Sequence, residues 1–227
     1  RKPIFIIPNG VNVNIFRENL GKKMEYRKNY GLPEDKKVIL FCGRFNHVKG
    51  ITEYSEAAAI LSRLRSDVYF LAVGDGPLKP LVIRIFERYV NGRVISWTPY
   101  EHIHELYIAS DIYALPSKWE ALPITLLESM AAGLVIVATN IGSIPDVLSQ
   151  YSRKVLIHPP TTRHILRGFL DALNIINENF NDRDQSILER YDWRNVMNKI
   201  LHLYNKMLCN YDASTSTIMA SYYFGKC

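Results

Sequence analysis

The spacing of apolar runs limits the fold of this chain more than any other feature. Short stretches rich in Val, Ile and Phe recur at 4–7, 38–42, 68–73, 93–97, 112–115, 134–138 and 155–157. Longer amphipathic patterns separate them near 19–30, 50–65, 77–90, 100–110, 123–132 and 143–149. Strands with a helix between each pair form a doubly wound sheet, and near-continuous apolar runs suit parallel strands covered on both faces. The expected fold class is therefore α/β, a mostly parallel sheet with helices on both faces. Beyond residue 160 the pattern is helical only, at about 161–179, 183–190 and 193–209, which predicts a C-terminal helical appendage. One domain over 1–208 and a tail over 209–227 follow from this division. With 227 residues, 48% of them hydrophobic, the chain can bury a substantial core and is neither disordered nor fibrous.

Net charge is +6, and the excess is local: residues 1–50 hold eleven basic and four acidic side chains. Basic faces attract nucleic acid, anionic lipid or phosphorylated ligands. No run of five basic residues and no aromatic RNA-binding signature is present, so nucleic acid is not an expected partner. The three cysteines, Cys42, Cys209 and Cys227, have no metal-ligand spacing and are too few and too scattered for a disulfide framework. Cys42 reads as a small buried hydrophobe. No apolar run of about 18 residues occurs, and the expected location is the cytoplasm.

In an open parallel sheet, ligands bind beyond the carboxyl ends of the strands, where loops enter helices. Three such junctions carry chemistry. GRFNHVKG at 43–50 follows the second apolar run; Gly43 allows close backbone approach, and Arg44 and Lys49 bring two cations to a helix start, a site for an anion such as a diphosphate. It is not a P-loop, because the required glycine spacing before Lys-Ser/Thr is missing. GDGP at 74–77 reads as a tight turn, with Pro77 opening the next helix and no catalytic role for Asp75. The third, PSKWEALPITLLESMAAG at 116–133, places Glu120 in a loop before Pro123 opens a helix, with Glu128 one and a half turns along it. Carboxylates bind sugar hydroxyls while amides and cations bind phosphate, and a nucleotide sugar needs both. Each feature alone also has a plain structural reading: a solvated loop, a helix-dipole partner, an exposed helix glutamate.

Taken in order, IPNGVNVNIF (7–16), ILFCGRFNHVKG (39–50), VGDGPL (73–78), the segment 106–148 with its two glutamates, and YDWRNVMNKILHLY (191–204) resemble the C-terminal, donor-binding domain of GT-B glycosyltransferases, specifically family 4. The resemblance implies one Rossmann-like half of a GT-B fold. It implies that Arg44 and Lys49 hold the donor diphosphate and that Glu120 lies near the donor sugar. The backbone at Leu122, Pro123 and Ile124 would cradle sugar and phosphate, and Glu128 would accept bonds from the ribose hydroxyls. Residues 97–103 would lie at the base, with Trp97 read as core rather than as a stacking platform. The activity implied is retaining transfer of a hexosyl group from a UDP- or GDP-sugar to a saccharide or lipid-linked acceptor. No tightly bound cofactor and no catalytic metal are expected.

The chain departs from the commoner family form at Ala121-Leu122-Pro123 and at Gly142-Ser143-Ile144-Pro145-Asp146, which leaves the sugar open. Asp182-Arg183-Asp184 imitates the metal-binding Asp-x-Asp of GT-A enzymes but follows no strand, and reads as a solvated turn; His47 reads as an exposed loop histidine. Every match belongs to the donor half, so an N-terminal acceptor domain or partner subunit is expected to complete the enzyme. The basic first 50 residues read first as a solvated basic surface, and on charge alone they would also suit a peripheral membrane position. A non-catalytic nucleotide-sugar-binding module, and a GT-B phosphorylase or epimerase, are the alternatives.

Overall fold

A computed structural model describes residues 4–96, 98–177 and 182–223, without the side chains of 182, 183, 185 and 209–223. Six strands form one sheet: β1 (Lys37–Cys42), β2 (Val68–Val73), β3 (Gly92–Ile95), β4 (Ile112–Leu115), β5 (Val135–Thr139) and β6 (Lys154–Ile157). All neighbours pair in parallel, in the order β3-β2-β1-β4-β5-β6. The chain winds outward from β1 to β3, then returns to lay β4 on the other side of β1. This reversal puts the topological switch point between β1 and β4, the place where open α/β sheets generally bind ligands.

Side chains alternate across a strand, and both faces here are covered. Val38 and Leu40 of β1 enter one core, packed by α1 (Val13–Asn19), α2 (Lys23–Asn29), α5 (Ile103–Ile108) and α6 (Ile124–Ala131). Ile39 and Phe41 enter the other, under α3 (Ile51–Leu64), α4 (Lys79–Tyr89) and α8 (Thr162–Ile175). That double covering is why the strands read as unbroken apolar runs rather than alternating ones. A short α7 (Ile144–Val147) leads to β6, and α9 (Asp182–Glu189) and α10 (Trp193–Tyr223) close the chain.

Three expectations change. The apolar run at 4–7 is not a strand: it pairs with no strand among the described residues, and Ile4 and Ile6 are 89% and 92% exposed. A strand needs a neighbouring strand edge, which an apolar pattern does not supply. Pro77 precedes α4 without opening it; Pro80 occupies the first turn. Residue 208 lies within α10, which extends from Trp193 to Tyr223. Asp184 is not in a solvated turn: it is fully buried in α9, where its carboxylate accepts from the Ser152 amide (2.7 Å) and hydroxyl (2.6 Å).

Candidate functional site

The carboxyl ends of β1 and β4 lead directly into the two loops singled out by sequence. After β1, the chain 43–46 is pinned from below by the GDGP turn. The Phe45 amide donates to the Asp75 carbonyl (2.8 Å), and the Leu78 amide donates to the Phe45 carbonyl (3.0 Å). A Cβ on Gly74 would come within 1.9 Å of the Gly43 carbonyl oxygen, so the glycine there is a packing requirement. Asn46 then caps the turn at 47–49 by accepting from the Lys49 amide (2.9 Å), and Gly50 adopts φ 70° to start α3. The turn places Arg44 and His47 in solvent and leaves Lys49 half-buried, facing the second loop.

That second loop, 116–123, follows β4. The Lys118 amide donates to the Val48 carbonyl (2.8 Å), and the Lys118 ammonium meets Glu53 of α3 (2.6 Å), so the two loops are tied together. Between them lies the central contact of the site. Lys49 Nζ stands 2.6 Å from Glu120 Oε1, and the Ser117 hydroxyl donates to the same oxygen at 2.7 Å. Glu120 is 8% exposed, so its charge is held almost entirely by these two donors. Its backbone is fixed as well. A Cβ on Gly142, which has φ +53°, would meet the Glu120 carbonyl oxygen at 2.2 Å, and the Ser143 hydroxyl donates to the Ala121 carbonyl. Arg44, in contrast, has no ion-pair partner among the described residues.

Pro123 is the N-cap of α6 rather than its first helical residue, and it has no amide to offer. The free donors at this helix start are therefore those of Ile124 and Thr125, while the Leu122 carbonyl is held by Asn9 Nδ2 at 2.7 Å. Four residues into α6, Glu128 is 5% exposed, not a solvated helix glutamate. Burial pushes its carboxyl up from the ordinary value. It borders a cavity of about 230 Å³ with Tyr100, Glu101, Ile103 and His104, the stretch expected at a nucleotide base. His104 stands edge-on to Phe16 and Tyr26, and burial lowers its pKa. Trp97 lies outside the described residues. Cys42, at the end of β1, has its thiol pushed up to about 12 by burial, which makes it a packing residue and not a nucleophile.

The structure thus brings Gly43, Lys49, Glu120 and Glu128 to one end of the sheet, with Arg44 on its solvent side and Leu122, Pro123 and Ile124 between the two glutamates. Sequence reasoning missed three supporting residues: Ser117, Asn9 and Ser143. Ser117 precedes Glu120 by three residues, a spacing that could have been noticed. Asn9 is 113 residues from its partner Leu122, and nothing local in the sequence signals that contact.

A six-stranded parallel sheet in this order, with its switch point between β1 and β4, is a Rossmann-like domain, one half of a GT-B fold. The chain belongs to the glycosyl transferases group 1 family, whose profile matches residues 22–184. It is 26% identical to an uncharacterised glycosyltransferase of Methanocaldococcus jannaschii over 88% of this chain and 53% of that protein. Among solved structures, a UDP complex of HepE from Anabaena superposes with a TM-score of 0.71 at 19% identity, covering 89% of this chain and 57% of that one. The C-terminal domain of a glycosyl transferase group 1 protein from Francisella tularensis superposes with a TM-score of 0.63 at 22% identity. That alignment covers 84% of this chain and 98% of that domain. The chain spans about half the length of the curated relatives it matches, 53% and 38% for two of them.

Proposed function

We propose that this chain is the donor-binding half of a retaining glycosyltransferase, which moves a hexosyl group from a UDP- or GDP-sugar to a saccharide or lipid-linked acceptor. The observation that carries the reading is the Lys49–Glu120 contact at the switch point: a cation and a buried carboxylate held together, with Arg44 unpaired beside them. In the free protein, Lys49 and Glu120 satisfy each other. A bound donor replaces that contact with two better-matched ones, diphosphate on the cations and sugar hydroxyl on the carboxylate.

Breaking the bond between the anomeric carbon and the diphosphate sends an electron pair onto the leaving phosphate. Arg44 and Lys49 meet that growing charge, an electrostatic effect strongest in the transition state, and no catalytic metal is needed to meet it. Glu120 orients the sugar and stabilises positive charge at the anomeric centre. Glu128 accepts from the ribose hydroxyls, and Tyr100, Glu101 and Ile103 border the base. The complex of HepE with UDP supports a uridine nucleotide as donor carrier. An N-terminal domain or partner subunit supplies the acceptor site, in keeping with the half-length match to relatives. A cytoplasmic enzyme peripheral to a membrane, where a lipid-linked acceptor would lie, fits the basic first 50 residues.

Calorimetric titration of UDP, GDP and ADP, each with and without its hexose, tests this reading. One nucleoside diphosphate should bind at least tenfold more tightly than the other two, with added affinity from the hexose. Equal weak binding of all three would contradict a donor site.

A further inference from the structure

At the opposite end of the sheet, the amino ends of β1, β4, β5 and β6 surround a second cavity, of about 260 Å³. Its walls carry Lys23 from α2, Lys37 from the start of β1, Arg153 from just before β6, and Asp111 from just before β4. The charges do not balance. Asp111 is already fully engaged: Oδ1 faces Lys23 Nζ, and Oδ2 accepts from Arg27 Nη2 (2.6 Å) and from the Val38 amide (2.7 Å). Arg27, buried behind it, spends its remaining donors on the carbonyls of Ala109, Pro33, Glu34 and Lys36.

Lys37 and Arg153 are left without a carboxylate. Arg153 directs its terminal nitrogens at the carbonyls of Gly133 (2.7 Å) and Ile176 (2.8 Å), and its Nε is buried with no partner. Lys37 has no ion pair among the described residues, and the nearby Asp67 is taken by Arg65 at 2.6 Å. Burial lowers the Lys23 pKa, Asp111 opposes that, and the like charges of Arg27 and Lys37 add to the lowering. Three cations around one engaged carboxylate, with the Arg153 Nε unused, suit an anion. The apolar side chains of Leu20, Ile108 and Leu134 complete the walls and suit a small organic group attached to that anion.

We propose that this cavity binds a phosphate group, free or as a small phosphomonoester, on Lys23, Lys37 and Arg153. The site lies at the other end of the strands from the donor crevice, and its existence does not depend on the donor reading. It also gives a use to two cations of the basic first 50 residues beyond Arg44 and Lys49. Phosphate bound there is positioned to tie α2, the β1 entry and the β6 entry together.

Inorganic phosphate titrated into the isotope-labelled chain, followed by amide shifts, tests the proposal. Shifts should centre on 23, 37 and 153, and Lys37→Gln should weaken binding about tenfold, Lys37→Glu by more. Lys37 is half-buried at a strand end, so both variants should fold, which unchanged urea-denaturation midpoints would verify. Three outcomes would overturn the proposal. Phosphate could bind both variants as tightly as the parent chain. The shifts could fall only on 43–50, placing phosphate in the donor crevice alone. Finally, Lys37-dependent binding could appear for phosphatidylglycerol vesicles and not for phosphate, making the patch a membrane contact.

Discussion

The two cations of the candidate site are not equivalent, and their substitution should separate binding from stability. Arg44 is exposed and unpaired, so Arg44→Ala should weaken nucleoside diphosphate binding by about 1–3 kcal/mol and leave stability within about 0.5 kcal/mol. Lys49→Ala removes the main partner of a carboxylate that is 8% exposed. It should lower binding similarly and also destabilise the fold by about 1–3 kcal/mol, because Glu120 is left buried with only Ser117. Calorimetry and urea denaturation on the two variants check both halves; equal stability loss in each would show that the Lys49–Glu120 contact does not hold the loops.

Glu128 carries a different signature. Burial raises its carboxyl above the ordinary value of 4.5, so the folded state holds this proton more tightly than the unfolded chain does. Its ionisation therefore costs stability, absent below pH about 4.5 and growing as pH rises from there through the raised folded value. Glu128→Gln should stabilise the free protein at neutral pH and flatten that part of the pH profile, while weakening nucleoside binding. Denaturation midpoints measured from pH 4 to 8 give the answer; a destabilised variant with an unchanged profile would remove the assignment.

At the level of elements, two loops depend on backbone that only glycine tolerates comfortably. Gly50 has φ 70°, and a Cβ there would sit 2.1 Å from the Pro116 carbonyl oxygen. Gly50→Ala must either strain α3 or push the loops apart, at a cost of about 1–3 kcal/mol. Because the contact joins the two site loops, it should reduce UDP affinity as well, which denaturation and calorimetry on the one variant can establish together. The six sheet strands were legible in the sequence, because burial on both faces writes itself as continuous apolar runs. The run at 4–7 has the same composition but no adjacent strand edge, which composition cannot reveal. Asp184 misled for the matching reason: its acidic triplet looks solvent-facing, and only the packing of α9 brings it to Ser152. The site residues were readable as motif positions, whereas the Lys49–Glu120 pairing spans 71 residues and required the fold.

At the scale of the whole molecule, the sheet separates two charged ends. The carboxyl end holds Arg44, Lys49, Glu120 and Glu128, the proposed donor site; the amino end holds Lys23, Lys37 and Arg153. The chain corresponds to about half the length of its curated relatives. On the proposed function, joining an acceptor domain from a relative to this chain should bring hexosyl transfer with retention at the anomeric carbon, read from the product by proton NMR; transfer with inversion would exclude the retaining mechanism.

The central claim, that a nucleoside diphosphate binds on Arg44 and Lys49, is tested most directly by titrating UDP into the chain and into Arg44→Ala and Lys49→Ala side by side. Each variant should lose about tenfold or more in affinity, as charge-assisted phosphate contacts do. UDP affinity unchanged in both would contradict the claim.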